Sequence, residues 1–312
     1  MRNRIDKKPI DVVYITGQRY CGSTLIAFLL NAHPKVFTIG EMGPALRFRS
    51  RDYLCSCGEP LYQCPFFNEM TKRMNEEGLT LDFEDMRLRY YFSENRVIER
   101  LVMGGMRWGV LREARNLLRW LAPGFRQHIR ELDHRNEVFM RSALNWSGKS
   151  VFLDTTKNCR RIVFLARMKR LNLKVIHLIR DPRGFCCSVQ KHERRSPVDV
   201  APEWTSHINS VRHLTRRMPE GSYMPMLYES FCHDPETHLR KITDFIGVEK
   251  YNIPDNYRDF PHHILGNPMA KHGDNRTKVT LDESWQSLLT KEDRKLIAQL
   301  TGETAREVGY QI

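Results

Sequence analysis

Apolar and polar positions along this chain alternate between short strand-like runs and longer helical ones. Residues 11–16, Asp-Val-Val-Tyr-Ile-Thr, form a compact apolar run that predicts a first strand, after a polar and basic tail over 1–9. Leu25-Ile26-Ala27-Phe28-Leu29-Leu30 predicts a buried helix over 23–32, stopped at Asn31-Ala32-His33-Pro34. A second apolar run over 35–39 leads to Gly40-Glu41, and residues 43–80 read as irregular. Helical patterning dominates 82–146, broken by Gly104-Gly105 and Pro123-Gly124. Then come a strand beginning Ser150-Val151-Phe152-Leu153-Asp154, a helix over 160–170, a strand over 174–179, a strand over 223–229 and a helix from Pro235 through Gly247. Strand and helix in alternation predict an α/β fold, a P-loop-like central parallel sheet flanked by helices, with a helical and irregular insertion. The expected organisation is a single domain over 1–312: an anion-loop segment at 10–42, the insertion at 43–146, and a second half at 150–312.

The turn between the first strand and helix, Gly17-Gln18-Arg19-Tyr20-Cys21-Gly22-Ser23-Thr24-Leu25, carries the first candidate chemistry. Gly17 and Gly22 have the spacing of a phosphate-binding loop, but Ser23 stands where the lysine that reaches the β- and γ-phosphates of ATP belongs. Backbone N–H groups and the positive end of the helix still suit an anion, whereas γ-phosphate transfer would also want that lysine and magnesium. A nucleotide other than ATP fits better. The plain alternative is a strand-turn-helix corner with no ligand.

A second motif lies downstream. Val175-Ile176-His177-Leu178-Ile179 is a β-branched run typical of a central parallel strand, and Arg180 follows at its carboxyl end, where open α/β sheets bind ligands. A guanidinium there can grip a phosphate bidentately, and Ser188, on a helix whose first turn holds Pro182, can add a hydroxyl. The alternative makes Arg180-Asp181 a structural ion pair and Ser188 an ordinary helix serine.

Together these segments resemble the sulfotransferases that use 3'-phosphoadenosine 5'-phosphosulfate. Tyr20-Cys21-Gly22-Ser23-Thr24-Leu25, Asn31-Ala32-His33-Pro34 and Gly40-Glu41 are similar to the family's 5'-phosphosulfate loop, helix and following segment. Lys174 through Gly184, with Ser188, is similar to its 3'-phosphate motif. The resemblance runs from about residue 10 to the C-terminus and is closest to the bacterial, carbohydrate and tyrosylprotein branches. It implies in-line transfer of a sulfuryl group to a hydroxyl of a small molecule, sugar or glycolipid, with no metal in the reaction. It also implies that Gly17 to Leu25, Arg180, Ser188 and Tyr228, the last on the family's Tyr-Glu strand, contact the donor.

Transfer needs a base and a charge stabiliser. Glu41 is the candidate general base, a role its counterpart plays in the resembled branches; partial burial would suit it, and a surface glutamate is the alternative. Asp154-Thr155-Thr156-Lys157 ends a strand, so Lys157 can face the same crevice as the Gly17 loop and stabilise the transferring group. The alternative is a helix-capping Asp and Thr pair beside an exposed lysine. The chain departs from the family at Tyr20, where members carry Lys or Arg and the nearest cation is Arg19, and at Ala270, where members carry arginine and Lys271 or Arg276 can compensate. His262 and His263 adjoin, which fits capping or nucleotide contact better than a helical metal pair.

Composition narrows the rest. The hydrophobic fraction of 41% and charged fraction of 28% are those of a soluble globular protein, and no stretch has the apolar length to span a bilayer. With no secretory or anchor segment read at the start, unlike the Golgi members of the resembled family, the expected compartment is the cytoplasm. Fifty basic against 37 acidic residues leave +13, which an anionic donor explains without nucleic acid, since no zinc-finger spacing and no basic run of five occurs. The arginines of 87–135 alternate with leucines and isoleucines at helical spacing, a solvated helical face, or else an acceptor cover drawing an acidic or lipid-bound substrate at a membrane surface. Phosphotransferase and non-catalytic anion or nucleic-acid binding remain the rival classes. Of eight cysteines most read as buried small hydrophobes, but Cys55-Ser-Cys57 and Cys64 make a tight loop able to hold a metal or a disulfide. C-x-C-x6-C lacks a fourth ligand at a usual zinc spacing, and the resemblance makes the loop structural, near the acceptor entrance.

Overall fold

The computed structural model describes residues 8–42, 53–83, 85–93, 95–103, 121–252, 254–266 and 278–312. Its strands are β1 (Ile10–Gly17), β2 (Val36–Gly40), β3 (Val151–Lys157), β4 (Leu171–Ile179) and β5 (Tyr223–Leu227). They form one sheet in the order β2-β3-β1-β4-β5 with each neighbouring pair parallel. The described helices are α1 (Ser23–Asn31), α2 (Pro65–Glu76), α3 (Arg96–Met103), α4 (Pro123–Ser147), α5 (Cys159–Leu165) and α6 (Pro182–Glu193). Beyond them lie α7 (Pro197–Thr215), α8 (Tyr228–His233), α9 (Pro235–Ile246), α10 (Trp285–Leu288) and α11 (Lys291–Glu307). This is the expected α/β architecture, with helices on both faces of a parallel sheet.

Successive side chains of a strand point to opposite faces. On β1, Ile10, Val12 and Tyr14 therefore enter one core with α2, α4 and α5, while Val13 and Ile15 enter another with α1, α8 and α9. Burial on both sides is why the strands read as continuous apolar runs. A third cluster packs α6, α7 and α11 around the fully buried Trp204, beyond Ile179 at the end of β4.

Several elements differ from the expectation. The irregular zone contains α2, whose Phe66, Phe67, Met70 and Met74 face the core. Described residues from 81 to 93 are not helical; their backbone is held instead by side chains, with Glu99 accepting from the N–H of Phe92 and Ser93. The expected break at Pro123-Gly124 is present: Leu121 is helical, Ala122 is extended, and Pro123 begins α4, where its missing N–H costs nothing in the first turn. β5 stops at Leu227, so Tyr228 and Glu229 open a helix. On α4, Arg126 and Arg130 stand exposed while Phe125 and Ile129 are buried, a solvated face; Arg107, Arg112, Arg115 and Arg119 lie outside the described residues.

One buried charge pair ties the sheet to the helical region. Asp154, fully buried on β3, accepts from Arg161 at 2.6 Å, and Arg161 also donates to Leu88 O at 2.7 Å and Asn136 Oδ1 at 2.7 Å. A partner for each of the three guanidinium nitrogens is what makes such a pair tolerable in the interior.

A pair of buried imidazoles sets an acid limit on the fold. His177 and His207 lie with ring centroids 5.6 Å apart, and each leaves Nε2 without a partner. Burial pushes His177 down to about 3, with His207 adding to the effect, and burial alone pushes His207 down to about 4. Both folded values sit below the unfolded value near 6.5, so the unfolded chain binds more protons at mildly acid pH and stability falls as pH drops below about 6.5. The expected loss at pH 5 is roughly 2 kcal/mol from each ring. Urea melts at pH 7 and pH 5 test this; an unchanged midpoint, or an equal change in His207→Gln, contradicts it.

Candidate active site

The candidate residues are gathered where the five strands end. β1 runs into Gly17-Gln18-Arg19-Tyr20-Cys21-Gly22, β2 into Glu41, β3 closes on Lys157, β4 on Arg180 and β5 on Tyr228. In a parallel sheet all carboxyl ends share one edge, and the reversal of strand order around β1 opens a crevice there. Residues spread over some two hundred positions thus meet at one rim.

The loop after β1 is shaped by close approaches. Gly22 has φ +85°, and a Cβ there would fall 2.5 Å from the Tyr228 ring, so only glycine lets α1 begin against that tyrosine. Tyr20 also takes a positive φ, 64°. Gly22, which has no side chain to cap with, is the N-cap of α1, whose first residues are Ser23, Thr24 and Leu25; a helix start of this kind suits an anion. Cys21 is buried, and burial raises its thiol. Gln18 is buried, its Nε2 3.5 Å from Glu203 O. Arg19 turns away from the loop: it pairs with Glu193 at 2.6 Å and Glu203 at 3.1 Å and lies over the Phe185 ring.

Arg180 joins the two motifs. Its NH1 donates to Tyr20 O at 2.7 Å and to Ser188 Oγ at 3.1 Å, and its NH2 to Asp282 O at 3.2 Å and Oδ2 at 3.0 Å. The guanidinium is 5.1 Å from the Tyr228 ring centroid, and its main-chain oxygen accepts from Trp204 Nε1 at 2.8 Å. Asp181 pairs with Arg183 instead, and caps α6 by accepting from Arg183 N. The Arg180-Asp181 ion pair weighed as an alternative is therefore not formed; Asp282 takes that carboxylate position. Burial and Ser284 act oppositely on Asp282, and the balance, with Arg180 beside it, leaves its carboxyl below the usual range.

Across the crevice Lys157 Nζ pairs with Glu41 Oε1, the two side chains 17% and 15% exposed. Lys157 has φ 69°, a costly conformation for a residue with a Cβ. Neighbours hold it there: Thr16 Oγ1 donates to Lys157 O at 3.0 Å and Tyr14 OH to Asn158 O at 2.8 Å. Thr156 Oγ1 donates to Asp154 Oδ1 at 2.5 Å and accepts from Met42 N at 2.8 Å, which fastens the Glu41 segment to the end of β3. The capping alternative for Asp154 and its threonines fails, because Asn158 caps α5. Gly40, at φ +76°, lets Leu265 lie against the end of β2, and Leu265 N donates to Ile39 O at 2.6 Å. A cavity of about 190 Å³ is lined by Thr156 and Asn158, which flank Lys157 in sequence, with Arg89, Arg160, Tyr90 and Tyr91; Glu41 and Lys157 themselves do not line it. A larger one of about 640 Å³ lies at the opposite, amino-terminal edge near Ile10, Asp11 and Ser150, away from every candidate residue.

Lys271, Arg276 and Ala270 lie outside the described residues. The paired histidines separate in role. His262 bonds with Asn31 Nδ2 at 2.8 Å and Tyr257 O at 2.6 Å, whereas His263 turns its Nδ1 to Cys64 Sγ at 3.2 Å and Cys55 Sγ at 3.8 Å. His263 thus faces the cysteine loop, and His262 the end of α1. All eight cysteines are free. Among the described residues no helix is long and apolar enough to cross a membrane.

The model of a family described as "Sulfotransferase family" matches residues 12–252. Human carbohydrate sulfotransferase 1 is 29% identical over 168 residues, which cover 46% of this chain and 40% of that protein. The match thus spans well under half of the curated relative. Among solved structures, the sulfotransferase domain of a Synechococcus olefin synthase superposes with a TM-score of 0.55 at 18% identity, covering 99% of this chain and 98% of that one. At that identity the likeness supports the fold.

Proposed function

The chain belongs to the sulfotransferase family, and we propose that it transfers a sulfuryl group from 3'-phosphoadenosine 5'-phosphosulfate to a hydroxyl of a small-molecule or carbohydrate acceptor. The observation that carries the reading is Arg180: a buried guanidinium joined to Ser188 Oγ and to the carbonyl of Tyr20, so that one cation serves both phosphate motifs.

When bound, the donor supplies an activated sulfuryl group and a phosphate leaving group. The chain's part is to hold and orient it. The first N–H groups of α1 at Ser23, Thr24 and Leu25 face the 5' end, and Arg180 with Ser188 faces the 3'-phosphate, which displaces or shares the Asp282 carboxylate. Glu41 Oε1 accepts the acceptor's proton, and Lys157 Nζ, already beside it, places positive charge where the leaving oxygen develops its negative charge. Because Arg19 is committed to two glutamates, Lys157 rather than Arg19 answers for the cation missing at Tyr20. Lys271 or Arg276 remains a second source. The cavity lined by Thr156 and Asn158, on either side of Lys157 in sequence, is the candidate approach for the acceptor, and its tyrosine rings and polar side chains suit a polyhydroxylated molecule. The cytoplasm, with free thiols, and the absence of a nucleic-acid partner belong to the same reading.

Ligand-induced stabilisation tests it. 3',5'-Adenosine bisphosphate is expected to raise the melting temperature well above any shift from ATP with magnesium, because ATP lacks the 3'-phosphate. Equal shifts reject the assignment of Arg180 and Ser188, and a larger shift from ATP with magnesium returns the chain to phosphotransferase chemistry.

A further inference from the structure

Three cysteines with no fourth ligand in sequence acquire one in space. Cys55, Cys57, Cys64 and His263 bring their ligand atoms within 4.8 Å of one another, although His263 lies 199 residues beyond Cys64. We propose that these four residues bind a zinc ion in a closed Cys3His site that pins residues 262–266 beside Glu41.

The spacing is that of zinc ligands. A tetrahedral zinc with Zn–S of about 2.3 Å and Zn–N of about 2.0 Å sets sulfurs about 3.8 Å apart and sulfur to nitrogen about 3.5 Å apart. Here Cys57 Sγ to Cys64 Sγ is 3.7 Å, and His263 Nδ1 is 3.2 Å and 3.8 Å from the sulfurs of Cys64 and Cys55. A disulfide would need sulfurs at about 2.05 Å. Three thiolates and an imidazole are a soft donor set, which favours zinc over magnesium or calcium. Four protein ligands leave no open position, so the ion is structural, and no step of the transfer passes through it.

The surroundings are built as a ligand shell. Backbone N–H groups of Cys57, Glu59 and Phe67 face the sulfurs of Cys55, Cys57 and Cys64. Gly58, at φ +92°, closes the turn, with its N–H on Cys55 O at 3.0 Å and Cys55 N on Glu59 O at 2.8 Å. Cys64 is the N-cap residue of α2, where the helix dipole favours a thiolate. Phe66 stacks on the His263 ring at 5.3 Å and Trp146 meets it edge-on at 5.3 Å, fixing the imidazole plane.

The consequence reaches the active site. Ile264 N donates to Ser56 Oγ at 2.7 Å, and Tyr53 OH bonds both N and O of Gly266. A Cβ on Gly266 would lie 3.4 Å from Thr24 Oγ1 and 3.9 Å from Glu41 Oε1, so the segment tied to the cysteine loop borders the crevice. A zinc ion holding His263 to the loop fixes that border.

Protein purified under reducing conditions from zinc-supplemented cells, then dialysed, is expected to carry about one zinc per chain by elemental analysis. Cobalt substitution is expected to give the visible absorption of a tetrahedral thiolate site. Cys57→Ser, at the exposed ligand, should fold yet lose zinc to a chelator at least tenfold more readily, and His263→Asn should do the same. Chelation of the wild type should increase hydrogen exchange over residues 262–266. Wild type without zinc, variants that retain it as firmly, or a Cys57–Cys64 disulfide mapped in the reduced preparation overturn the site. A zinc-loaded chain whose exchange over 262–266 ignores chelation overturns the pinning.

Discussion

Glu41→Gln is expected to lower turnover by roughly 10²- to 10⁴-fold while leaving donor affinity within about twofold of the wild type. The amide keeps the size of the side chain but cannot accept the acceptor's proton. Lys157→Ala is expected to fail differently: it removes a cation, so both turnover and the affinity for an anionic donor fall. The two side chains form one ion pair, so each substitution also frees the other residue, and the double variant should lose less than the product of the two single losses. Donor affinity by calorimetry and single-turnover rates for all three variants test this. Near-normal turnover in Glu41→Gln across the pH range removes Glu41 as the base.

Arg180→Ala is the second large effect. Losing a buried guanidinium from a phosphate is expected to weaken 3',5'-adenosine bisphosphate by about 2–4 kcal/mol, some 30- to 1000-fold, because charge-assisted and bidentate contacts are lost together. Arg180 also holds Tyr20 O and Asp282, so the fold needs its own check. Circular dichroism and a urea midpoint supply it, and Ser188→Ala, which removes only a hydroxyl, should weaken the same ligand by a smaller step. A folded Arg180→Ala with unchanged affinity contradicts the assignment; one that fails to fold makes the arginine structural, and Ser188→Ala then decides whether a 3'-phosphate binds there.

The parts of the site legible in the sequence are those whose chemistry is local. The β1 loop and Arg180 with Ser188 lie within a few residues of an apolar strand, and period and spacing suffice to place them at the sheet's carboxyl edge. What depended on distant partners was not legible. Arg19 is a candidate cation by sequence position, but Glu193 and Glu203, 174 and 184 residues away, hold it. Asp282 reaches Arg180 across 102 residues, and His263 completes a cysteine set across 199. Spacing rules cover contiguous motifs and have no means of finding such a fourth ligand. Capping signals mark further helix starts locally: Cys64-Pro65 opens α2, Ser196-Pro197 opens α7 and the Thr290 to Asp293 box opens α11. Residues 81–93 misled in the other direction, since Leu81, Met86 and Leu88 bury in an irregular segment that Arg161 anchors by its bond to Leu88 O.

Purified protein incubated with donor labelled in the sulfuryl group and a cell extract is to be followed for label in organic products and for released 3',5'-adenosine bisphosphate. Labelled sulfate esters that hot acid hydrolyses to inorganic sulfate are expected, formed one for one with the bisphosphate, with no ATP consumed and the signal lost in Glu41→Gln. Bisphosphate release without labelled ester, or ATP-dependent phosphorylation in its place, would contradict sulfuryl transfer.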